Sequence, residues 1–210
     1  MTNWQEAFDA CPLVAILRGV RPVEVLAIGK ALTGAGFTLI EVPLNSPDPL
    51  NSISRLVQDL PQAVVGAGTV LSAQDVTAVK DAGGRLIVAP NFDPEVAAEA
   101  ARHQMIYLPG IGTLSEAFAA LKAGAAGLKL FPAEMIPPAA VKAMRSVLPA
   151  DAKLLPVGGV NADTMPRYWQ AGANGFGMGQ SLYRPGQTAE ETATRAADFI
   201  ATWRAVAGQG

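Results

Sequence analysis

Leu154-Leu155-Pro156-Val157-Gly158-Gly159-Val160, followed by Gly175-Phe176-Gly177-Met178-Gly179-Gln180-Ser181, is the stretch that decides between two architectures. Each part is a short apolar run that stops in glycines, late in the chain. A doubly wound open sheet usually carries its phosphate-binding glycines after the first strand. Here the first apolar run, Leu13 to Leu17, ends instead in Arg18-Gly19-Val20. Glycine sets after the last two strands are the pattern of a (β/α)8 TIM barrel. Working back from them, further apolar runs lie at Phe37–Val42, Val64–Val70, Arg85–Ala89, Met105–Leu108 and around Lys129, which makes eight strands. Helical segments separate them. Val25, Leu26, Ile28, Ala31 and Leu32 share one face before the stop at Gly34-Ala35-Gly36, and Ser72, Thr113 and Asn161 stand as caps of later helices. A short helix around Trp4–Ala10 leads in, and one from about Ala189 to Val206 closes the chain. Short apolar strands alternating with amphipathic helices mean a parallel sheet covered by helices. No repeat or linker marks a second domain, so the expectation is a single (β/α)8 barrel over residues 1–210.

Composition agrees with that size and class. Half of the 210 residues are hydrophobic and 16% are charged, enough for a large buried core. A net charge of −2 gives no support for nucleic acid or a membrane surface as partner. No apolar run approaches the roughly 18 residues needed to cross a bilayer, and Met1-Thr2-Asn3-Trp4-Gln5-Glu6 lacks the basic-then-apolar order of a leader. Cys11 stands alone, which excludes an internal disulfide and fits a reducing cytoplasm. One histidine and one cysteine exclude a His/Cys-rich metal cluster, while an all-oxygen Mg²⁺ site stays open.

Barrel enzymes work at the C-terminal ends of their strands, so the last side chains of each run matter most. Gly127-Leu128-Lys129-Leu130-Phe131-Pro132 places one lysine inside an apolar run. Alternation turns Lys129 to one face and Leu128 and Leu130 to the other. Burial there disfavours the ammonium and frees an amine to attack a carbonyl carbon. A lysine snorkelling at an edge strand is the bland alternative, and the other strands decide. Lys30, Lys80, Lys122 and Lys142 fall on predicted helices, and Lys153 precedes its strand on the opposite side. By the same alternation Glu41 shares a face with Leu39, Arg18 with Val14 and Ile16, and Thr69 with Ala67. Arg18, Glu41, Thr69 and Lys129 are thus expected to converge in one mouth. A buried ion network that merely braces the fold would more naturally lie lower in the sheet.

Backbone N–H groups of Gly158-Gly159 and of Gly179-Gln180 can approach an anion, helped by the N-terminal dipole of a helix from Asn161. Tight turns alone would explain one glycine pair; two sets at these strand ends favour phosphate. His103, late in a helix, reads as a surface or packing residue, and Cys11 as a small buried one. Asn45 and Ser46 follow the second strand on the active side, where a turn role and a substrate contact fit equally.

Taken together, Ala15-Ile16-Leu17-Arg18-Gly19, Ile40-Glu41-Val42-Pro43-Leu44-Asn45-Ser46-Pro47, Gly66-Ala67-Gly68-Thr69-Val70, Pro109-Gly110, Leu128-Lys129-Leu130-Phe131-Pro132 and Val157-Gly158-Gly159-Val160 resemble the class I 2-keto-3-deoxy-6-phosphogluconate/6-phosphogalactonate aldolase family over nearly the whole chain. The resemblance implies Lys129 as the Schiff-base lysine and Glu41 as the acid/base. It also implies Arg18 and Thr69 on the keto-acid carboxylate, and Gly159 with the Gly179-Gln180 backbone at the phosphate. Asn45-Ser46 and Val157 match the phosphogalactonate branch, where phosphogluconate enzymes have Arg-Thr and Thr. The two substrates differ at C4, so a side chain near that carbon is expected to set preference. Gln180 departs from the serine usual in that branch. The implied substrate is a phosphorylated keto sugar acid cleaved to pyruvate, with no cofactor, in a homotrimer.

Two rivals stand beside this reading. A phosphosugar isomerase or epimerase would share the phosphate glycines and a glutamate base but needs no covalent lysine. A non-catalytic phosphosugar-binding protein would bind and release no product.

Overall fold

The computed structural model describes residues 3–208. Met1, Thr2, Gln209 and Gly210 lie outside the described residues, and with them both ends of the expected 1–210 unit and the start of the stretch read for a leader. The chain is a parallel α/β structure. Strands β1 (Leu13–Ile16), β2 (Leu39–Pro43), β3 (Val64–Gly68), β4 (Leu86–Val88), β5 (Ile106–Leu108), β6 (Gly110–Ile111), β7 (Leu128–Leu130), β8 (Leu154–Pro156) and β9 (Phe176–Met178) alternate with helices α1 (Trp4–Ala10), α2 (Val25–Ala35), α3 (Pro49–Asp59), α4 (Ala73–Asp81), α5 (Pro94–Arg102), α6 (Leu114–Lys122), α7 (Pro138–Arg145), α8 (Met165–Gln170) and α9 (Ala189–Ala207). Six strands pair in the order β5-β4-β3-β2-β1-β9 and three in the order β6-β7-β8.

The fifth expected strand, Met105–Leu108, is β5 and stops before Pro109, which has no N–H to donate to a ladder; beyond it the structure adds a short strand that was not expected, β6. The Pro109 carbonyl still serves, accepting the Lys129 N–H at 2.9 Å. Gly110 follows because the backbone of Pro90 passes too close for a side chain; a Cβ there would lie 2.1 Å from the Pro90 oxygen.

Alternation along the strands sorts the core into two layers. Val14, Leu39, Val64, Leu86, Val88, Leu108 and Leu155 pack together on one side of the sheet, with Ala7 and Phe8 of α1 against them. Leu13, Ala15, Leu17, Ile40, Val42, Val65, Ile87, Leu128, Leu130 and Leu154 pack on the other side among helix residues such as Ile28, Ile53, Val76 and Val141. Lys153 fits this frame: it lies just before β8, its Nζ 5.3 Å from the Phe8 ring centre. The other four non-strand lysines are on α2, α4, α6 and α7, as read from the sequence.

Caps follow the side-chain reach. Thr113 and Glu116 form a complete capping box on α6. At α4 the Ser72 hydroxyl accepts the Asp75 N–H, but the shorter Asp75 carboxylate takes the Leu71 N–H instead of closing a box. Asn161 does not begin a helix. Its side chain accepts the Asp163 and Thr164 N–H groups to close a turn, and α8 starts only at Met165. The dipole expected beside Gly159 is therefore displaced by a turn.

Candidate active site

Glu41 and Lys129 approach one another from separate sheets. Glu41 sits in β2 in register with Ile16 of β1 and Gly66 of β3, and Lys129 in β7 is in register with Leu155 of β8. Both line one small cavity whose remaining walls are apolar, including Ile16, Leu108, Leu155, Val157 and Gly177. Glu41 is 1% exposed and Lys129 7%. Lys129 is therefore no edge-strand lysine reaching for water.

The same burial acts on the two groups in opposite directions. It pushes the Glu41 carboxyl up to about 7, against the pull of the Lys129 and Arg18 charges. It holds the Lys129 ammonium below the ordinary lysine range, with Glu41 opposing and Arg18 reinforcing that fall. Each is shifted toward its neutral form, the direction that favours attack by the amine and proton exchange by the carboxyl. The Lys129 Nζ also stands 4.7 Å from the ring centre of Phe131, two residues along the same face.

Two glycines in β3 stand where no side chain fits, and one of them makes room for the carboxylate. Gly66 faces the backbone of Leu86 at a distance no Cβ fits, and at Gly68 a Cβ would lie 1.3 Å from Glu41 Oε2. That oxygen is buried and has no hydrogen-bond partner among the described residues. Replacing Gly68 by alanine is expected to overpack this site and cost about 1–3 kcal/mol of stability. A denaturant midpoint equal to that of the parent protein would contradict the packing.

Thr69 reaches the site by a route that alternation does not foresee. Ala67, its expected face-mate, packs outward among the helix-facing core. β3 ends at Gly68, and Thr69 adopts φ +57°, a left-handed conformation unusual for a β-branched residue. This turn brings its hydroxyl 3.5 Å from Arg18 Nη2. Arg18 lies in the exposed turn after β1 and also donates through Nη1 to Asn45 Oδ1 at 2.7 Å. Arg18, Asn45 and Thr69 thus form one cluster, and the Arg18 charge acts on both Glu41 and Lys129.

The glycine turns lie side by side, since Val157 bridges in parallel to Gly177. Gly158 and Gly159 have φ +104° and +63°, which glycine alone adopts readily. A Cβ at Gly158 would lie 2.6 Å from Glu134 Oε2, and one at Gly159 2.9 Å from Glu134 Cγ. Glu134, in the single helical turn Ala133–Met135, is thus laid across this glycine pair. Nothing local in the sequence marks it, because the contact joins residues more than twenty apart. Gly179 differs: nothing comes within 4 Å of where its Cβ would be. Gln180 is exposed, and its backbone carbonyl accepts from Arg184 Nε at 3.1 Å.

The remaining candidates stay apart. His103 Nε2 is 3.0 Å from Glu99 on α5, and the Cys11 thiol is buried and pushed up to about 11 by desolvation. No group of three or more His, Cys, Asp or Glu among the described residues could hold a metal ion. No helix among them is long and apolar enough to cross a membrane.

The chain is similar to known proteins over nearly all of its length. Residues 5–195 match the family described as KDPG and KHG aldolase. The chain is 46% identical over 198 residues to a probable 2-dehydro-3-deoxy-6-phosphogalactonate aldolase of Rhizobium meliloti (strain 1021), covering 94% of this chain and 93% of that one. It is 44% identical over 203 residues to the 2-dehydro-3-deoxy-6-phosphogalactonate aldolase of Escherichia coli (strain K12), covering 96% and 98%. A solved structure described as native KDPGal superposes with a TM-score of 0.92 at 43% identity, over 94% of this chain and 96% of that one.

Proposed function

The chain belongs to the KDPG and KHG aldolase family and is a carbon–carbon lyase, and from that premise we propose that it cleaves 2-dehydro-3-deoxy-6-phosphogalactonate to pyruvate and D-glyceraldehyde 3-phosphate through an imine on Lys129. The observation that carries the reading is the burial of Lys129 and Glu41 in one cavity, each shifted toward its neutral form.

The neutral Lys129 amine adds to the C2 carbonyl, and loss of water gives an iminium. Its nitrogen then draws the C3–C4 bonding pair into an enamine. As that bond breaks, the C4 hydroxyl proton passes to the Glu41 carboxylate and C4 leaves as the aldehyde of glyceraldehyde 3-phosphate. Glu41 returns the proton to C3 of the enamine, and water hydrolyses the iminium to pyruvate and the free amine. Arg18, fixed beside Thr69, meets the keto-acid carboxylate. Gly158, Gly159, Gly179 and the Gln180 backbone meet the phosphate, and Val157 lines the cavity between. The iminium supplies the electron sink, so this route calls for no metal or organic cofactor.

The phosphogalactonate assignment rests on the names of the two relatives at 44% and 46% identity, together with Val157 and Asn45-Ser46. It is tested by supplying each C4 epimer and coupling pyruvate release to lactate dehydrogenase. The phosphogalactonate epimer is expected to show the higher kcat/KM. Preference for the phosphogluconate epimer would sink the substrate assignment, and release from neither would sink the reaction.

We also read the two sheets as arcs of one closed (β/α)8 barrel forming a single domain. Support comes from the continuity of β5 and β6 across Pro109, the Val157–Gly177 bridge and the Asn174 N–H donated to Leu154 O at 2.9 Å. A homotrimer is the proposed assembly, for which exposed Phe118, Phe131 and Met135 offer apolar surface. The lone buried Cys11 suits a cytoplasmic enzyme.

A further inference from the structure

Asn45-Ser46, like Val157, match the phosphogalactonate branch, whose substrate differs at C4, so a contact near C4 is one reading of them. Their contacts lead elsewhere. Ser46 is 7% exposed, and its Oγ accepts the Gly19 N–H at 2.9 Å. Its own N–H donates to Pro43 O at 2.9 Å, closing a tight turn directly after β2. Two residues earlier, the Leu44 N–H donates to Gly68 O at 2.8 Å, which ties the same turn to the end of β3. Asn45 is exposed and turns its Oδ1 to Arg18 Nη1.

The partner turn is held from its other side as well. Gly19 has φ +80°, and a Cβ there would lie 2.7 Å from Pro185 Cγ. Arg18-Gly19 is thus fixed between Pro185 and Ser46, while the Arg18 guanidinium is spanned by Asn45 and Thr69. A free arginine in an exposed turn would spend much of its time in other rotamers, and ordering it costs side-chain entropy at the moment of binding. A guanidinium has five N–H donors. With one aimed at Asn45 and one at Thr69, the others remain for a carboxylate.

We propose that Asn45 and Ser46 are positioning residues for Arg18, acting on the keto-acid carboxylate end of the substrate and not on C4. The inference rests on the reading of Arg18 as the carboxylate clamp. Pyruvate separates the two ends, because it has the carboxylate and the keto carbon but no C4.

The test measures the pyruvate concentration for half-maximal borohydride trapping of Lys129, and the ratio of kcat/KM for the two C4 epimers, in Asn45→Ala, Ser46→Ala and Ser46→Thr. The alanine variants are expected to raise the pyruvate half-saturation about three- to tenfold, as loss of one hydrogen bond implies. The trapped yield at saturation stays at the parent level, and so does the epimer ratio. Ser46→Thr keeps the hydroxyl and is expected to restore pyruvate binding, which a general loss of folding would not allow. Asn45 is exposed, so its alanine variant keeps the test independent of the core. An altered epimer ratio with unchanged pyruvate half-saturation would overturn the inference. Unchanged half-saturation in Arg18→Ala would overturn it too, by removing the clamp; absence of any adduct on the parent protein would instead strike the imine reading itself.

Discussion

Lys129→Ala is expected to lose cleavage activity by a factor on the order of 10³ or more, because no other group can form the iminium that accepts the C3–C4 electrons. The other lysines are poorly placed to substitute: four are on helices and Lys153 is at the opposite end of the strands against Phe8. Borohydride reduction with pyruvate followed by peptide mapping checks the point directly. A single reduced adduct on Lys129, absent from the alanine variant, is the expected result. An adduct on another lysine, or near-normal turnover in the variant, would refute the assignment. Because the side chain fills an apolar cavity beside Phe131, the variant removes a buried amine without stranding a new charge except on Glu41. That carboxyl already tends to hold its proton, so the variant is expected to remain folded.

Glu41→Gln has the second largest expected effect, a fall of about 10²–10⁴-fold in cleavage, the range typical of a lost acid/base group. Imine formation with pyruvate should survive in this variant, since Lys129 still holds its amine. Trapping and turnover therefore separate the two roles. The pH dependence gives a further check, and its sign follows from the shifts. In the cleavage direction the base must be the carboxylate, so activity is expected to rise with pH through about 7, where burial places the Glu41 ionisation. An unperturbed glutamate would give that limb near its ordinary value of 4.5. Lys129 must be neutral to attack, and burial lowers its ionisation from 10.5. The limb due to the amine thus falls below the range of an exposed lysine. In Glu41→Gln the limb near 7 should vanish while the lysine limb stays. A profile unchanged by the substitution would remove Glu41 from the proton transfer.

The Asn45–Ser46 contacts change how the substrate branch should be read. If these residues act through Arg18, the preference between C4 epimers must be sought among groups that face the middle of the substrate, of which Val157 lines the cavity. Glu134 bears on the other end of the substrate. Its carboxylate lies across Gly158 and Gly159, close to where the phosphate is proposed to bind.

What the sequence determined by itself was whatever depends on local periodicity. Short apolar runs between amphipathic segments set the order of strands and helices and the parallel class, and period-two alternation put Lys129 and Glu41 on the inner side of their strands. Both signals are carried by a few neighbouring residues, and burial of one face enforces them. Tertiary structure decided what depends on register between strands and on dihedral exceptions. Thr69 joins Arg18 only because its backbone turns to φ +57° at a place where parity alone would pair it with outward-facing Ala67. Gly110–Ile111 forms an extra strand beyond Pro109 because β7 comes alongside to pair with it. Asn161 closes a turn because the backbone groups within its reach belong to Asp163 and Thr164. Ser46 binds Gly19, and Glu134 covers the Gly158–Gly159 pair, across stretches of chain that no periodicity spans. Such contacts arise when separate elements are packed together, so the residues that make them carry no mark of it in the linear chain.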